Sequence, residues 1–124
     1  MDAAVPSIVL VNPQGVRALL LRTLRESGFR VITADTNAEA LGGPSEQADL
    51  VLLDAAELVS GAAAALAKRD MPMGGRPGVL LTGEDATPEL AAEWGAIGII
   101  QHVFASADAV EQIRRALHEL ANAL

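Results

Sequence analysis

Short apolar runs alternate with helically spaced apolar stripes along the chain. Five segments predict β-strands, and most are apolar at nearly every position: 8–11, 31–33, 50–53, 79–81 and 97–100. Strands of this kind are typical of a parallel sheet whose two faces are both covered by helices. The pattern therefore predicts buried strands within an α/β fold.

The first connecting segment predicts a helix from Pro13 to Ser27. Asn12 suits the N-cap, and Pro13 suits the first helical position, where its missing N–H costs nothing. Gly28 can adopt the left-handed conformation that ends a helix. The predicted core-facing stripe consists of Val16, Leu19, Leu20 and Leu24.

Four further helices are predicted at 36–42, 55–68, 87–95 and 106–124. Thr36 and Glu39 have capping-box spacing, and Thr87 precedes a proline at a helix start. Gly61 lies inside the alanine-rich third helix, at a cost of about 1 kcal/mol relative to alanine. Segment 70–78 is predicted to be a mobile loop. The last helix has a regular core-facing stripe of Val110, Ile113, Leu117 and Leu120.

Strand and helix alternate five times without a break in composition. This alternation predicts βα units that share one sheet, so residues 1–124 are expected to form a single domain. The chain contains no cysteine, which excludes disulfides, thiol catalysis and thiolate metal sites. Its start lacks the charged and apolar regions of a secretory signal, and a cytoplasmic location is expected.

Charge and composition exclude several classes of partner. The net charge is -7, so nonspecific attraction to nucleic acid or to anionic membranes is not expected. Aromatic residues make up only 2% of the chain, which argues against base-stacking surfaces. Half of the residues are apolar, yet no run approaches the roughly 18 apolar residues that a membrane helix needs.

Asp54 is the most informative polar residue, because it directly follows the apolar run 50–53. Ligands of open α/β sheets bind at the carboxyl ends of the strands, so a carboxylate there is a candidate site. The first strand runs instead into Asn12 and Pro13, without an acid. The chain also lacks a Ser/His/Asp motif, a carboxylate pair and a histidine cluster, and no enzymatic activity is predicted.

The order and spacing of several short motifs resemble those of bacterial response-regulator receiver domains, over essentially the whole chain. The matching residues are Arg17 with the helix that ends at Gly28 and Phe29, then 49–54, 79–83, and Gly95 and Ala96 leading to Phe104. The resemblance implies a flavodoxin-like, doubly wound, five-stranded parallel sheet in the order 2-1-3-4-5. Five helices would cover it in a three-layer α/β/α arrangement.

The resemblance also assigns roles to individual positions, and this chain departs from most of them. Asp54 matches the phosphoacceptor and Thr82 the hydroxyl that contacts the phosphoryl group. The acidic pair that holds magnesium in receivers falls on Val11 and Asn12, or on Asn12 and Pro13, and neither alignment supplies an acid. Two further positions differ. His102 stands where receivers have a lysine that contacts the phosphoryl group, and Ile99 stands where they have the switch aromatic.

Each of these residues also has a structural interpretation. Asp54 suits a strand end or a helix cap, Thr82 a β-branched strand end, Asn12 the helix N-cap, and His102 a structural or solvent-facing position. A direct contact between Asp54 and His102 is a further hypothesis. The neighbouring acids are expected to interact with helix N-termini and water: Glu57, Glu84 and Asp85.

The expected function is that of an atypical, phosphorylation-impaired receiver that acts as a protein-interaction module in two-component signalling. Magnesium should bind weakly if at all, because one carboxylate replaces three, and no other cofactor is expected. The partners would be a histidine kinase, an output domain, or a second copy through the face of the last helix. The expected interaction surface is the face around that helix, 106–124, together with the short helix that carries Trp94. Two alternatives stay open: a working Asp54 phosphoacceptor, and a flavodoxin-like binder of a small anion or nucleotide, although no glycine-rich phosphate motif follows the first strand.

Overall fold

The computed structural model describes residues 5–59, 61–69, 71, 77–103 and 105–122. Its strands are Ser7–Val11 (β1), Arg30–Ala34 (β2), Leu50–Asp54 (β3), Gly78–Thr82 (β4) and Gly98–Ile100 (β5). Its helices are Val16–Glu26 (α1), Asn37–Leu41 (α2), Ala55–Leu58 (α3), Gly61–Arg69 (α4), Pro88–Trp94 (α5) and Ser106–Asn122 (α6), with a short 3-10 helix at Pro44–Gln47.

The strands form one parallel sheet in the order β2-β1-β3-β4-β5. Every residue of β1, β3 and β4 is buried. The interior of the sheet is therefore shielded from water on both faces, which is why these strands read as continuous apolar runs. The predicted fold class and strand order are confirmed.

Two separate cores lie on opposite faces of the sheet. On one face, β-strand side chains such as Leu10 and Leu52 pack against Leu20 and Leu24 of α1 and Ile113 of α6. On the other face, alternate strand residues pack against α2, α3, α4 and α5; these strand residues include Val9, Val11, Val51, Leu53 and Leu81. Alternation along each strand thus divides one apolar run between two cores.

The start of the first helix differs from the prediction. Helix α1 begins at Val16, and its N-cap position is Gly15, which has a φ of 59° and forms no side-chain cap. Asn12 lies before this turn in the left-handed region, with a φ of 56°. The prediction that Asn12 caps the helix is therefore wrong. Two residues of the predicted stripe, Val16 and Leu19, are about half exposed, and only Leu20 and Leu24 are buried.

Other helix boundaries agree with the predicted capping residues. The Thr36 side chain accepts a hydrogen bond from the Glu39 backbone N–H, and the Thr87 side chain accepts one from that of Leu90. Gly95 ends α5 in the left-handed conformation, with a φ of 67°. Local capping chemistry therefore determined these boundaries.

The predicted third helix is two helices, since α3 ends at Leu58 and α4 starts at Gly61. The glycine that was expected inside one helix is instead the first residue of the next. Strand β5 also begins later than predicted, at Gly98. Some predicted features lie outside the described residues: most of the loop 70–78, the aromatic Phe104, and the final residues of the last helix.

The sequence had suggested that the helix carrying Trp94 contributes to an interaction surface. The Trp94 side chain itself is a core residue. Its relative exposure is 5%, and it packs in the core on the side of the sheet that α5 covers. The Lys68 ammonium lies 4.5 Å from the centre of its ring and donates a hydrogen bond to the Glu93 carbonyl. Within the described residues, none of the helices has the length and apolar character to cross a membrane.

Leu24 and Leu19 provide a matched test of the helix-to-sheet packing, because both lie on α1. Leu24 is fully buried, whereas Leu19 is 49% exposed. We expect Leu24→Ala to lower the free energy of unfolding by about 2–5 kcal/mol through lost burial and a residual cavity. Leu19→Ala should change it by about 0.5 kcal/mol or less. Urea unfolding of both variants measures the difference, and equal losses would contradict the assigned packing.

Candidate functional site

Asp54 and Thr82 are side by side at the carboxyl edge of the sheet, because β3 and β4 pair in register at these residues. Strand β1 lies on the other side of β3. Helix α1, which follows β1, packs on one face of the sheet, and α3, which follows β3, packs on the other. The connections that follow β1 and β3 therefore leave the sheet on opposite faces. This divergence leaves a cleft at the carboxyl edge between the two strands, the topological switch point of the fold.

The Asp54 carboxylate is buried and fully engaged by hydrogen bonds. Its Oδ1 accepts from Arg17 Nη2 at 3.0 Å and from the Ala56 backbone N–H at 3.1 Å. Its Oδ2 accepts from Asn12 Nδ2 at 3.1 Å. The hydrogen bond from the Ala56 N–H makes Asp54 the N-cap of α3. The structural interpretation of Asp54 as a helix cap therefore holds, together with an ion pair that the sequence did not predict.

Arg17 lies in the first turn of α1 and reaches across the cleft to both strands. Its Nε donates to Thr82 Oγ1 at 3.1 Å, and its Nη2 donates to the Thr82 carbonyl at 3.2 Å. The side chain of Arg17 is 12% exposed and that of Asp54 8%. This ion pair is thus largely shielded from solvent, where it is screened less than a surface pair.

Gly83 allows this approach of the guanidinium. A Cβ atom at Gly83 would lie 2.8 Å from Arg17 Nη2. The glycine also has a φ of 106°, which L side chains rarely adopt. The backbone conformation therefore favours glycine, and the missing side chain leaves room for the Arg17 guanidinium in its observed position.

Asn37 holds the backbone of Asp54 from the side of α2. Its Nδ2 donates to the Asp54 carbonyl at 2.9 Å, and its Oδ1 accepts from the Asp54 N–H at 2.8 Å. Asn37 is only 1% exposed. The pairing of β3 with β1 ends at Leu52, two residues earlier, and this pair of buried hydrogen bonds holds the Asp54 backbone and fixes the position of its carboxylate.

Glu57 extends the polar cluster behind Asp54. Its Oε1 accepts a hydrogen bond from the Asn37 N–H at 3.3 Å. Burial raises the pKa of the Glu57 carboxyl above its ordinary value of 4.5, and the negative charge of Asp54 raises it further, while the Asn37 hydrogen bond and the Arg17 charge lower it. The net pKa shift is upward.

The cleft above Asp54 has a volume of about 380 Å³. The sequence-predicted residues that line it are Asn12 and Asp54, with Glu84 and Asp85 at its rim. Thr82 is fully buried beneath Arg17, and its hydroxyl donates to the Leu53 carbonyl at 2.8 Å. Val11 is fully buried in the core and supplies no polar atom to the cleft.

His102 and Ile99 lie away from the Asp54 cleft. Both line a neighbouring cavity together with Asp108, whereas Val103 lines the cleft itself and Gln101 lines both. Among the contacts of the described residues, Arg17 is the cation that pairs with Asp54, where the sequence had suggested His102.

Sequence reasoning missed the roles of Arg17 and Asn37. Arg17 was used only as an alignment landmark, although it is the first basic residue after the predicted first strand. Its position five residues after Asn12, where the acids are missing, is the signal that could have identified it. Asn37 offered no comparable signal, because its partner is backbone that lies 17 residues away.

Comparison with solved structures identifies the fold. A CheY-like receiver domain from Methanospirillum hungatei has a TM-score of 0.76 at 19% identity, and the match covers 98% of this chain and 100% of that one. The receiver domain of a sensor histidine kinase from Pseudomonas aeruginosa, with magnesium in its active-site cleft, has a TM-score of 0.72 at 20% identity over 93% and 99% of the two chains.

The non-phosphorylated HemR receiver domain from Leptospira biflexa has a TM-score of 0.70 at 26% identity, over 90% of this chain and 94% of that one. No protein-family model matches the sequence, and neither does any curated protein. The chain therefore has the fold of CheY-like response regulator receiver domains, the receiver fold of two-component signalling proteins. The predicted resemblance is confirmed at the level of the fold.

Asn37 gives a direct test of the backbone clamp. In Asn37→Ala, the buried N–H and C=O of Asp54 lose their partners, so the free energy of unfolding should fall by about 1–3 kcal/mol. Asn122→Ala is the matched control, because Asn122 is exposed and its side chain contacts the exposed His118. Chemical denaturation measures both, and an unchanged stability in Asn37→Ala would contradict the clamp.

Glu57 predicts a pH dependence of stability. Because its pKa is raised in the folded protein, the native state binds more protons than the unfolded state from about pH 4.5 upward. The contribution of Glu57 to the free energy of unfolding therefore falls as pH rises from about 4.5 through the raised pKa of the folded protein. Glu57→Gln keeps an acceptor oxygen and removes the titration, so its stability relative to wild type should increase from acidic to neutral pH. Parallel stability curves for the two proteins would refute this.

Proposed function

We propose that this protein is an atypical receiver domain of two-component signal transduction that acts as a protein-interaction module and whose phosphorylation at Asp54 is impaired. The observation that carries the proposal is the ion pair of Asp54 with Arg17, at an edge where Val11 and Asn12, or Asn12 and Pro13, stand at the positions of the expected acids. The receiver fold is retained, and the polar groups at its carboxyl edge bind one another.

The residues at this edge do not fit a magnesium ion. Magnesium requires several oxygen ligands in near-octahedral geometry. Val11 offers none, and the amide nitrogen of Asn12 points to Asp54 as a donor. The Arg17 guanidinium, 3.0 Å from Asp54 Oδ1, places a positive charge next to the Asp54 carboxylate. Within the part of the chain that the structure describes, no three acidic or histidine side chains form a metal-binding group.

Phosphoryl transfer to Asp54 is disfavoured for a related reason. The reaction needs a carboxylate oxygen that is free to attack and cations that neutralise the phosphoryl oxygens. Both oxygens of Asp54 already accept hydrogen bonds, and His102 lines a different cavity. Slow or absent phosphorylation follows from this arrangement.

A working phosphoacceptor is the second candidate. It is favoured by the register that places Thr82 directly beside Asp54 and by the presence of one cation, Arg17, in the cleft. The third candidate, a small-anion or nucleotide binder, is less well supported. Glu84 and Asp85 line the same cleft and would repel an anionic ligand.

The proposed partners are proteins, either a histidine kinase or an output domain. A second copy of this chain is a further candidate, through the exposed side of α6. The net charge of -7 disfavours nucleic acid and anionic membranes as partners. Regulation would then depend on which partner binds and less on chemistry at Asp54.

Incubation with acetyl phosphate and magnesium, read by intact mass, tests the proposal. We expect no adduct of about 80 Da, the mass of one phosphoryl group. A receiver domain that retains its acidic pair serves as the positive control for the reagent. A prompt adduct that is lost in Asp54→Asn would establish the second candidate instead. A thermal-shift screen with nucleotides and flavins addresses the third, because a ligand at about 100 times its Kd adds roughly 2.7 kcal/mol.

A further inference from the structure

We propose that Arg17 is an internal cationic lock on the carboxyl edge of the sheet. Its guanidinium holds Asp54 and Thr82 in one arrangement, so that the state of this edge is set by a residue of the chain itself and not by an added ligand. This inference rests on the proposed function, because a lock of this kind suits a domain that works without phosphorylation at Asp54.

One guanidinium connects three structural elements. Arg17 extends from α1, contacts the side chain of Asp54 at the end of β3, and contacts both the hydroxyl and the carbonyl of Thr82 at the end of β4. The planar fork of arginine suits this task, because its donors have fixed directions. A lysine ammonium at the same place would carry the charge without the same set of directed contacts.

The acceptors of Arg17 are themselves held in place. Thr82 Oγ1 donates its own proton to the Leu53 carbonyl, which leaves its lone pairs directed at Arg17. The Asp54 backbone is fixed by Asn37, and Oδ1 is fixed by the Ala56 N–H. The acceptor groups of Arg17 are therefore preorganised, and binding of the guanidinium does not need to order flexible groups.

The negative charges around Arg17 favour the position of its guanidinium between Asp54 and Thr82. Asp54 contacts it directly, Glu84 and Asp85 line the same cleft, and Glu57 lies close enough for its pKa to respond to the Arg17 charge. Removal of the guanidinium would take away the positive charge that faces Asp54 in this cleft. The cleft thus favours the locked position electrostatically.

Hydrogen bonds carry the effect of the lock beyond the two strands. The Gly83 N–H, next to Thr82, donates to the Ile100 carbonyl at 3.0 Å, and the Ala86 N–H donates to the Gly83 carbonyl at 3.1 Å. The Gln101 side chain donates to the Ala86 carbonyl at 2.7 Å. The segment between β4 and α5 is therefore joined to the end of β5. Release of Arg17 should loosen this whole segment.

Arg17→Gln, compared with Arg22→Gln, tests the lock. Arg22 lies on the same helix, and its side chain is 76% exposed. Amide hydrogen exchange at Ala56, Gly83 and Ala86 is the readout. We expect Arg17→Gln to accelerate exchange at these amides about tenfold or more, which corresponds to roughly 1.4 kcal/mol of lost protection. Arg22→Gln should leave these rates unchanged.

A double-mutant cycle separates the lock from simple packing. If Arg17 acts through Asp54, its substitution should have a much smaller effect in an Asp54→Asn background, and the two effects should not add. Additive effects would overturn the proposal. Arg17→Lys should recover part of the protection at Ala56, because it retains the charge that faces Asp54.

Thr82→Val and Thr82→Ser provide a second route if Arg17→Gln does not fold. The valine removes the acceptor for Arg17 Nε, whereas the serine keeps the hydroxyl. Faster exchange at Gly83 in Thr82→Val but not in Thr82→Ser supports the lock, and equal rates in both variants contradict it.

The failure of the lock and the failure of the proposed function give different results. If Arg17→Gln exchanges like wild type while wild type stays unreactive to acetyl phosphate, the lock is wrong and the proposed function stands. If wild type takes up a phosphoryl group promptly, the proposed function fails, and the lock fails with it, because Asp54 is then open to an added group.

Discussion

The ion pair between Arg17 and Asp54 joins the first helix to the third strand where the covering helices part. Parallel sheets need helices on both faces, and in this order the crossovers diverge between β1 and β3. The divergence leaves a cleft lined by strand ends and loop backbone. Because Asp54 is buried at its floor, its charge must be compensated from within the chain, and Arg17 supplies the compensation.

The arrangement around Asp54 follows from the cost of burying charge. A carboxylate that is 8% exposed needs hydrogen-bond donors on both oxygens, and it finds them in Arg17, Asn12 and the Ala56 backbone. In turn, the guanidinium finds its remaining acceptors on Thr82. A closed network of this kind stabilises one geometry and leaves few free groups for an incoming ligand. The same receiver fold can therefore hold a site with a different chemical role.

Local sequence signals predicted the fold well and the site only in part. Apolar runs and the capping residues Thr36 and Thr87 correctly placed the strands and two helix starts. Asn12 was assigned to the helix N-cap because Asn-Pro is a common helix start, yet the chain turns through a left-handed Asn12 and a left-handed Gly15 before α1 begins. The side chain of Asn12 instead binds a carboxylate 42 residues away, a contact that no local pattern encodes.

The sequence by itself determined the parallel sheet, its covering helices and the position of Asp54 at a strand end, because these depend on hydrophobic periodicity and short-range capping. Tertiary structure alone decided which cation meets that carboxylate. His102 was the candidate by alignment and lines another cavity, while Arg17 reaches Asp54 across a gap of 37 residues in sequence. Long side chains pair according to the positions of whole elements in space, and those positions depend on how the two cores pack against the sheet.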